Sequence, residues 1–458
     1  MASLLLVMLW SPCPGAEPDG GKEILRLALE DTIRVALENS RSVTSAQLDR
    51  QDQKLSLEEA EERYRPRARI QASTVARGRA DEDTKISFGP TLRVPAGGEF
   101  RLDWQQRVGG QGPKRGTTAL SFSQPLLKGF GTEVDIAPLI GARMQDRIAM
   151  RVFRDRIGRV IGSVIDAYRG VLRAARQNVI ARDALERART QLTVNRALVE
   201  AGQMAQQELV QAEAQVADKE YALTETESRL ATANSGLVNV LDLRDTARVE
   251  PREEPGVTRL RPDLQQSIET AFERRLDYLR AEVGVTLARL DVRVAENDLR
   301  WDLSLRAEVA RGRTPGRTDY SGELNLTVPL WDRSSRRAWQ KARNGLRQAE
   351  LRLAETRQAI RIEVRRAVHD VAVGLRQIDL ARVGRDLAER KLDVERRKLQ
   401  VGLSSAFQIA RFEDDLVRAQ NREVDAVVGY RNALTALDRT LGTTLDRWGI
   451  DVQRVEQR

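Results

Sequence analysis

An internal duplication constrains this chain of 458 residues more than any other feature. The segment Thr32–Glu38, ending in Ala46, recurs 235 residues later as Ser267–Glu273, ending in Ala281. Further on, Ala201–Gln203 recurs 200 residues later as Val401–Leu403, followed in both copies by apolar and acidic residues at matching positions. Because a repeated pattern repeats its structure, the sequence predicts two homologous halves.

A third match locates the difference between the halves. Ser121–Leu127 corresponds to Asn325–Trp331 with an offset of 204 residues, so most of the extra length of the first half lies before its proline, Pro125. The predicted organisation, in chain order, is a signal peptide (1–16), a first repeat (24–250), a linker with several helix-breaking prolines (251–263), a second repeat (264–446) and a C-terminal tail (447–458).

Alternating segments predict strands. In Trp301–Val309 apolar residues alternate with polar ones, which is typical of a strand with one apolar and one wet face. Strands are predicted at about 301–310 and 322–331 in the second half, and at about 68–77 and 118–127 in the first. An extra hairpin is predicted at about 86–106, either within the same sheet or at its rim.

Strands of about 9 to 11 residues with this alternation suit a tilted crossing of an outer membrane, although a soluble amphipathic hairpin would show it too. Two hairpins give four strands per chain, whereas closed membrane barrels have at least about eight. Two chains would supply eight strands and three would supply twelve, so the membrane interpretation requires several chains to share one barrel.

A long helical segment follows each pair of strands and ends near a glycine. Helical periodicity runs through about 133–200 and again through about 337–400, and about 65 residues at 1.5 Å each span roughly 100 Å. Each run ends near Gly202 or Gly402, after which a second helix returns to Leu241 or Leu441. Two long antiparallel helical hairpins are therefore predicted, which a purely structural coiled coil would also contain.

Composition argues against catalysis and against nucleic-acid binding. The net charge is +9, but arginines alternate with acidic residues along the helical stretches, as on solvated helix faces. The single histidine, His369, lies in a charged helical segment, and no phosphate loop, nucleophile elbow or cluster of metal ligands is present in the sequence. The chain is predicted not to be an enzyme and to use no cofactor or metal.

The first 16 residues form an apolar run that ends in small residues, as secretory signal peptides do, although it lacks their basic start. An ordinary buried strand is the alternative. Cys13 is the only cysteine, so it is either lost with the signal peptide or acylated as in a lipoprotein. Beyond this segment no run of about 20 apolar residues predicts a transmembrane helix.

The duplicated order of helix, strands and long helices, with Gln124–Leu127 followed by Gly129–Gly131 and the turn Val401–Ser405, resembles the TolC-like outer-membrane efflux protein family. The resemblance implies a mixed α and β fold in which three chains share a twelve-stranded transmembrane β-barrel and a long α-helical barrel in the periplasm. It implies an exit duct in the cell outer membrane that belongs to a tripartite efflux or type I secretion system. The implied partners are outer-membrane lipid, a periplasmic adaptor (membrane fusion) protein and an inner-membrane pump of the resistance-nodulation-division or ABC type.

In this family the turns at the hairpin tips dock the adaptor and gate the channel. The matching residues here are Ala201, Gly202, Val401, Gly402, Leu403 and Ser405. A plain glycine-terminated helix turn is the alternative for all of them.

Some family members line the periplasmic entrance with aspartates one and two turns beyond the tip glycine. The corresponding residues here are Glu208, Gln211, Gln408 and Arg411. A complete ring of carboxylates is therefore not expected. The entrance is predicted to be less selective for cations, or to be built instead from Glu413, Asp414 or Asp415.

An exported periplasmic coiled-coil adaptor or scaffold without a membrane barrel is the competing hypothesis. Adaptors typically carry one helical hairpin, whereas this sequence predicts two, and a scaffold has no need for strands with a lipid-facing side. The transported substrate and the class of pump are left open by the sequence.

Overall fold

The computed structural model describes residues 24–77, 81–108, 116–244, 247–252, 256–312, 317–401 and 403–457. The predicted signal peptide, Cys13 and Gly402 lie outside the described residues. In the first half the elements are β1 (Ile24–Leu27), α1 (Leu29–Asn39), α2 (Arg41–Glu62), β2 (Arg67–Arg77), β3 (Asp81–Arg93), β4 (Glu99–Arg107), β5 (Gly116–Pro125), α3 (Thr132–Asp135), α4 (Ala137–Glu200), α5 (Gln206–Val240) and β6 (Arg248–Pro251). In the second half they are α6 (Leu264–Arg274), α7 (Leu276–Asn297), β7 (Asp302–Arg311), β8 (Thr318–Thr327), α8 (Ser334–Gln400), α9 (Ala406–Leu441), α10 (Thr444–Arg447) and α11 (Val452–Gln457).

The described residues form two compact units. Unit 1 takes its residues from Met1–Asn39 and Val164–Pro255, and unit 2 from Ser40–Ser163 and Gly256–Arg458. The two longest helices, α4 and α8, have 64 and 67 residues, close to the lengths that the helical periodicity predicts. None of the helices in the described part of the chain combines the length and hydrophobicity needed to cross a bilayer.

Unit 1 contains a short parallel strand pair, β1 with β6, that the sequence did not predict. The hydroxyl of Tyr168, which is fully buried, lies within hydrogen-bond distance of the backbone carbonyls of Leu27 at 3.1 Å and Arg252 at 2.7 Å, and its one proton is shared between them. The side chain of Asn234 on α5 bonds both the N–H and the C=O of Val249. These bonds satisfy backbone groups at the margins of a two-stranded sheet, which would be marginal alone.

In unit 2 the helical hairpin of α8 and α9 is held by a conventional apolar seam. Buried side chains recur at helical spacing along α8 and pack against α9 and α6: Ile360, Val364, Ala367, Val371, Ile378 and Leu392. At Gly374 the two helices approach so closely that an added Cβ would lie 3.2 Å from the Cα of Tyr430. The absence of a side chain at position 374 therefore permits this contact.

A six-stranded antiparallel sheet in the order β2-β3-β4-β5-β7-β8 is the second component of unit 2. The count of four strands from two hairpins is too low, and the position of the extra hairpin, which the sequence left open, is within the sheet. The predicted extra hairpin, formed by β3 and β4, is inserted between β2 and β5 and pairs with both. It fits this place because its strands are similar in length to their neighbours and keep the same alternation.

The C-terminal residues that were predicted as a tail end in helix α11, which lies against α2. Val452 is buried, and the backbone carbonyl of Val455 accepts from the side chain of Gln47. Arg50, which is 7% exposed, pairs with both Asp146 and Glu456. Because a buried guanidinium needs carboxylate partners, these ion pairs fix the C-terminal segment to unit 2.

Candidate functional site

The six-stranded sheet has two chemically opposite faces. One row across the sheet runs from Leu102 through Leu120 and Val309 to Tyr320, with partners in direct register. The adjacent row contains Thr91, Arg101, Ser121, Glu308 and Ser321. Since side chains alternate along each strand, every apolar row projects to one face and every polar row to the other.

Large side chains on the apolar face remain exposed among the described residues. Its members include Ile70, Phe88, Leu92, Phe100, Trp104, Leu120, Leu305, Val309, Tyr320, Leu324 and Leu326, which are 37 to 78% exposed. A contiguous apolar surface of this extent on an isolated chain marks a surface that contacts another protein or a membrane. Just outside the strands, Trp301 is 56% and Trp331 is 94% exposed.

The turn between α8 and α9, hereafter the second tip, is held by backbone and side-chain bonds. Leu403 donates its N–H to the carbonyl of Lys398 at 2.9 Å, the 6→1 bond of a Schellman motif. Ser405 is the N-cap of α9 and accepts from the N–H of Gln408. Val401 and Leu403 are 69 and 77% exposed. The second tip therefore presents apolar side chains on a rigid turn.

A buried carboxylate lies under the second tip. Glu395 is 7% exposed, and its two oxygens accept from the Ser404 hydroxyl at 2.8 Å and the Lys398 ammonium at 3.2 Å. The hydrogen bond from Ser404, followed by that from Lys398, holds the pKa of Glu395 below its ordinary value. Nearby, Arg396 donates a charge-assisted bond to Glu413.

The turn between α4 and α5, hereafter the first tip, shares the backbone motif but not its side-chain bonds. Gln203 donates its N–H to the carbonyl of Leu198 at 2.9 Å, and Gly202 has a φ of 70°. Such a φ costs glycine little and other residues more. The N-cap of α5 is Ala205, which makes no side-chain cap bond. Ala201 and Gln203 are exposed.

The four predicted entrance residues occupy the first turns of the returning helices. Gln408 and Arg411 lie one turn apart on the exposed side of α9. In unit 1, Gln211 is exposed, and Glu208 is partly buried with one carboxylate oxygen, Oε2, that has no hydrogen-bond partner among the described residues.

The three alternative entrance carboxylates differ in accessibility. Glu413 is 9% exposed and paired with Arg396, so its carboxylate does not face solvent. Asp415 pairs with Arg418 at 2.6 Å and lies near Lys391, and the hydrogen bond from Arg418 lowers its pKa. Asp414 is partly exposed. His369 lies on the exposed face of α8, and the described residues contain no group of three or more metal-binding side chains.

Sequence reasoning missed the exposed apolar strip on α8. Its members are Leu351, Ile362, Val373, Leu380, Leu387, Val394 and, at the end of the helix, Val401, each 38 to 69% exposed. The two steps of eleven residues advance about +20° each around the helix and the four steps of seven about −20° each, so the drifts oppose each other and the strip stays within about 80°. Counting these two spacings along α8 would have found it from the sequence.

Long helical hairpins joined to a sheet with one apolar and one polar face define the fold of TolC-like outer-membrane channels. The structure is similar to that of VceC from Vibrio cholerae, with a TM-score of 0.71, 16% identity, and coverage of 90% of this chain and 96% of that one. It is also similar to CmeC from Campylobacter jejuni (TM-score 0.68, 14% identity, 93% and 88% covered) and to the open state of MtrE from Neisseria gonorrhoeae (0.68, 15%, 91% and 89%).

Residues 267–443 match the model of the outer membrane efflux protein family. This match lies in the second half of the chain and supports the resemblance to the TolC-like family, and the mixed α and β fold that the resemblance implies is confirmed. No curated protein sequence matches the chain.

Proposed function

We propose that this chain is the exit duct of an export system, inserted in the cell outer membrane as a homotrimer with its long helices in the periplasm. Substrates would pass from an inner-membrane pump, of the resistance-nodulation-division or ABC type, through a periplasmic adaptor into the duct and out of the cell. The duct itself binds and positions; it performs no bond chemistry.

The two-faced sheet is the observation that carries the proposal. Its strands have 9 to 13 residues, enough to cross a hydrocarbon core when tilted. The apolar face suits lipid, and the opposite face, with Arg101, Glu308 and Ser321, suits a water-filled lumen. The outer strands β2 and β8 have no partner on one side among the described residues, and such edges are not stable in lipid unless another chain pairs with them.

The exposed strip on α8 supports assembly of several copies. Its opposite side already packs against α9 and α6 through the buried seam, so the strip remains for a second interface. Seven-residue and eleven-residue spacings are those of helices that pack side by side over long distances. A helical barrel made from copies of this chain would bury Ile362, Leu380 and Leu387 between neighbouring helices.

Val401, Leu403 and Ser405 are the proposed adaptor-docking residues of the second tip, with Gly402 between them. Exposed apolar side chains on a rigid turn bind partners at low entropic cost. Ala201 and Gly202 would dock more weakly, because the first tip exposes polar Gln203 where the second exposes Leu403. A photo-crosslinking residue at position 403 is expected to capture the adaptor in cells more efficiently than one at position 203.

The entrance chemistry is proposed to favour cations only weakly. Glu208 is the one carboxylate among the four entrance positions, and Arg411 is a cation. Comparable permeability of potassium and chloride through purified trimers is the expected result. Strong cation selectivity that disappears in a Gln408→Ala variant would contradict it.

Membrane insertion can be tested with two adjacent substitutions on β8. Leu324→Lys places an ammonium on the apolar face, and lysine near the bilayer midplane costs about 2 to 4 kcal/mol, whereas Asn325→Lys places it on the polar face. The wild type and Asn325→Lys should enter the outer-membrane fraction as trimers, and Leu324→Lys should not. If all three stay in the soluble periplasmic fraction, the chain is an adaptor or scaffold without a membrane barrel.

A further inference from the structure

We propose that β3 and β4 are transmembrane strands of the duct wall, so that each copy contributes six strands and three copies close a wall of eighteen. This inference rests on the proposed function, because it assumes that the sheet lies in the outer membrane. The specific claim is that the additional hairpin of the first half belongs to the wall and does not lie at its rim.

The sidedness of the hairpin matches that of the other strands. On β3, Phe88 belongs to the apolar face and its neighbour Ser87 to the polar one. On β4, Leu102 and Trp104 lie on the apolar face and Arg101 on the polar one. A hairpin at the rim, wet on both sides, would have no reason to keep this alternation in phase with both neighbouring strands.

Pairing on both sides fixes the hairpin inside the sheet. β3 pairs with β2 over eleven positions, and β4 pairs with β5 over eight. The rings of Phe100 and Phe122 pack across β4 and β5 with centroids 4.5 Å apart. Cross-strand aromatic pairs of this kind stabilise neighbouring strands, so the hairpin is joined to β5 by packing as well as by backbone bonds.

The turn between β3 and β4 lies at the level where the wall meets the helices. Arg93, at the end of β3, donates to the carboxylate of Asp135 in α3 at 2.5 and 2.9 Å. Gln124 of β5 donates to the carbonyl of Ala96 in the turn at 3.1 Å. Gly97 has a φ of 87°, and a Cβ there would lie 2.8 Å from the Pro125 ring. The hairpin therefore turns at the level where β5 ends.

The two edge strands of the sheet, β2 and β8, run in directions that allow them to pair between copies. Six consecutive antiparallel strands leave β2 and β8 running in opposite directions. Copies related by an axis along the wall therefore bring β8 of one copy beside β2 of the next in antiparallel orientation, with both apolar faces outward. The edges are also matched in length, with eleven and ten residues. A second copy of this chain is the partner that fits them.

The consequence is a wider lumen at the membrane. Barrel diameter grows roughly linearly with strand number, so eighteen strands give a diameter about 1.5 times that of twelve and a cross-section about 2.3 times larger. Walls of about 16 to 18 strands leave an open aqueous channel. This chain would therefore place a less restrictive exit above its helical barrel than a four-strand chain could.

Cysteine labelling tests where the hairpin lies. In a Cys13→Ser background, single cysteines replace neighbouring residues on three strands, namely Ser87 and Phe88 on β3, Arg101 and Leu102 on β4, and Glu308 and Val309 on β7 as controls. Trimers in lipid nanodiscs are treated with a water-soluble maleimide. Polar-face cysteines are expected to react at least about tenfold faster than apolar-face cysteines on all three strands, since lipid excludes the reagent.

The controls on β7 distinguish failure of this inference from failure of the proposed function. If Phe88→Cys and Leu102→Cys react as fast as Ser87→Cys while Val309→Cys is protected, the hairpin lies outside the bilayer and this inference is wrong. If Val309→Cys is also unprotected, the sheet is not in the membrane and the proposed function is wrong. Trp104 offers a check without an introduced cysteine: brominated lipids should quench the wild type more than Trp104→Phe.

Disulfide formation tests the closure of the wall. Ser73→Cys on β2 is combined in turn with cysteine at Ser321, Glu323 or Asn325 on β8. Directly opposed residues have Cβ atoms about 4.5 to 5.5 Å apart, so one register should crosslink neighbouring copies into a covalent series that ends at three chains. A disulfide from Ser73→Cys to Ser121→Cys within one chain would place β2 beside β5 and overturn the six-strand wall.

Discussion

The two helical hairpins of this chain end in the same backbone turn but stabilise it differently. At the second tip, Glu395 is bonded by Ser404 and Lys398, and Ser405 caps α9. The residue 200 positions earlier, Asn195, is fully buried, yet its amide nitrogen has no hydrogen-bond acceptor among the described residues. The duplication thus preserves the path of the chain while the chemistry beneath the turn differs.

An ion pair present in both halves shows the same contrast in burial. Arg196 and Glu213 lie 3.6 Å apart, with side chains 57 and 52% exposed. Their counterparts Arg396 and Glu413 form a shorter pair in which the side chain of Glu413 is only 11% exposed. Ion pairs in water contribute little, whereas one with a buried member is costly to break. The second tip is therefore the more rigid of the two, and the first is closer to an open, adaptable turn.

The largest effect is expected from the apolar cluster under the second tip. Leu392 is 2% exposed and packs with Ile409 and Leu416. Leu392→Ala removes a buried side chain and should cost about 2 to 5 kcal/mol of local stability. Leu192→Ala, at the half-buried equivalent in the first hairpin, should cost about 1 kcal/mol. Hydrogen exchange of the amides at the start of α9 and α5 measures both.

Equal losses in the two hairpins would contradict the contrast, because they would mean that the first hairpin has an apolar cluster of comparable burial.

A smaller effect is expected from the ion pairs. Arg396→Ala takes a charged partner from the buried Glu413 and should destabilise the second hairpin by about 1.5 to 3 kcal/mol. Arg196→Ala breaks an exposed pair and should change stability by about 0 to 1 kcal/mol. Chemical denaturation monitored by hydrogen exchange, at two salt concentrations, separates them. Salt should weaken the effect of Arg196→Ala and leave that of Arg396→Ala nearly unchanged.

The caps provide a reciprocal pair of substitutions. Ser405→Ala removes the bond to the N–H of Gln408 and should cost about 1 kcal/mol. Ala205 already has the extended backbone of an N-cap, with φ −71° and ψ 143°, so Ala205→Ser should stabilise the start of α5 by a similar amount. Amide exchange in the first turn of each helix is the measurement. If Ala205→Ser does not stabilise the start of α5, the two tips differ in more than the missing cap.

The sequence predicted the ends of the helices in the two hairpins better than the side-chain interactions near the tips. Helical periodicity and the recurring glycine place the helix ends within a few residues, because these signals are local. The alternative entrance residue Glu413 is an example of burial that the sequence did not predict. It lies four residues after Ile409 and three before Leu416, on the buried stripe of α9, and its burial follows from packing against α8. The sequence alone suggests that Glu413 faces solvent, because its partner Arg396 lies on another helix and the pairing has no local signal.

The strand count shows a second limit. Alternation predicted strands near 86–106, but it does not state which strands are neighbours, so an inserted hairpin and a rim hairpin have the same sequence pattern. The parallel pair of β1 and β6 was missed because its two four-residue strands are separated by more than 200 residues and carry no local signal.

The smallest expected effect is a dependence on pH that only the second tip should show. The pKa of Glu395 is lower in the folded tip than its ordinary value near 4.5, so its bonds to Ser404 and Lys398 contribute stability above that value. This contribution is lost as the pH falls through the folded pKa. An environment-sensitive label on Leu403→Cys, in the Cys13→Ser background, should report loosening below about pH 4.5. The same label on Gln203→Cys should not respond, because Asn195 carries no titratable group. Loosening that persists in a Glu395→Gln variant would assign the transition to another carboxylate and remove the buried glutamate from the explanation of the difference between the tips.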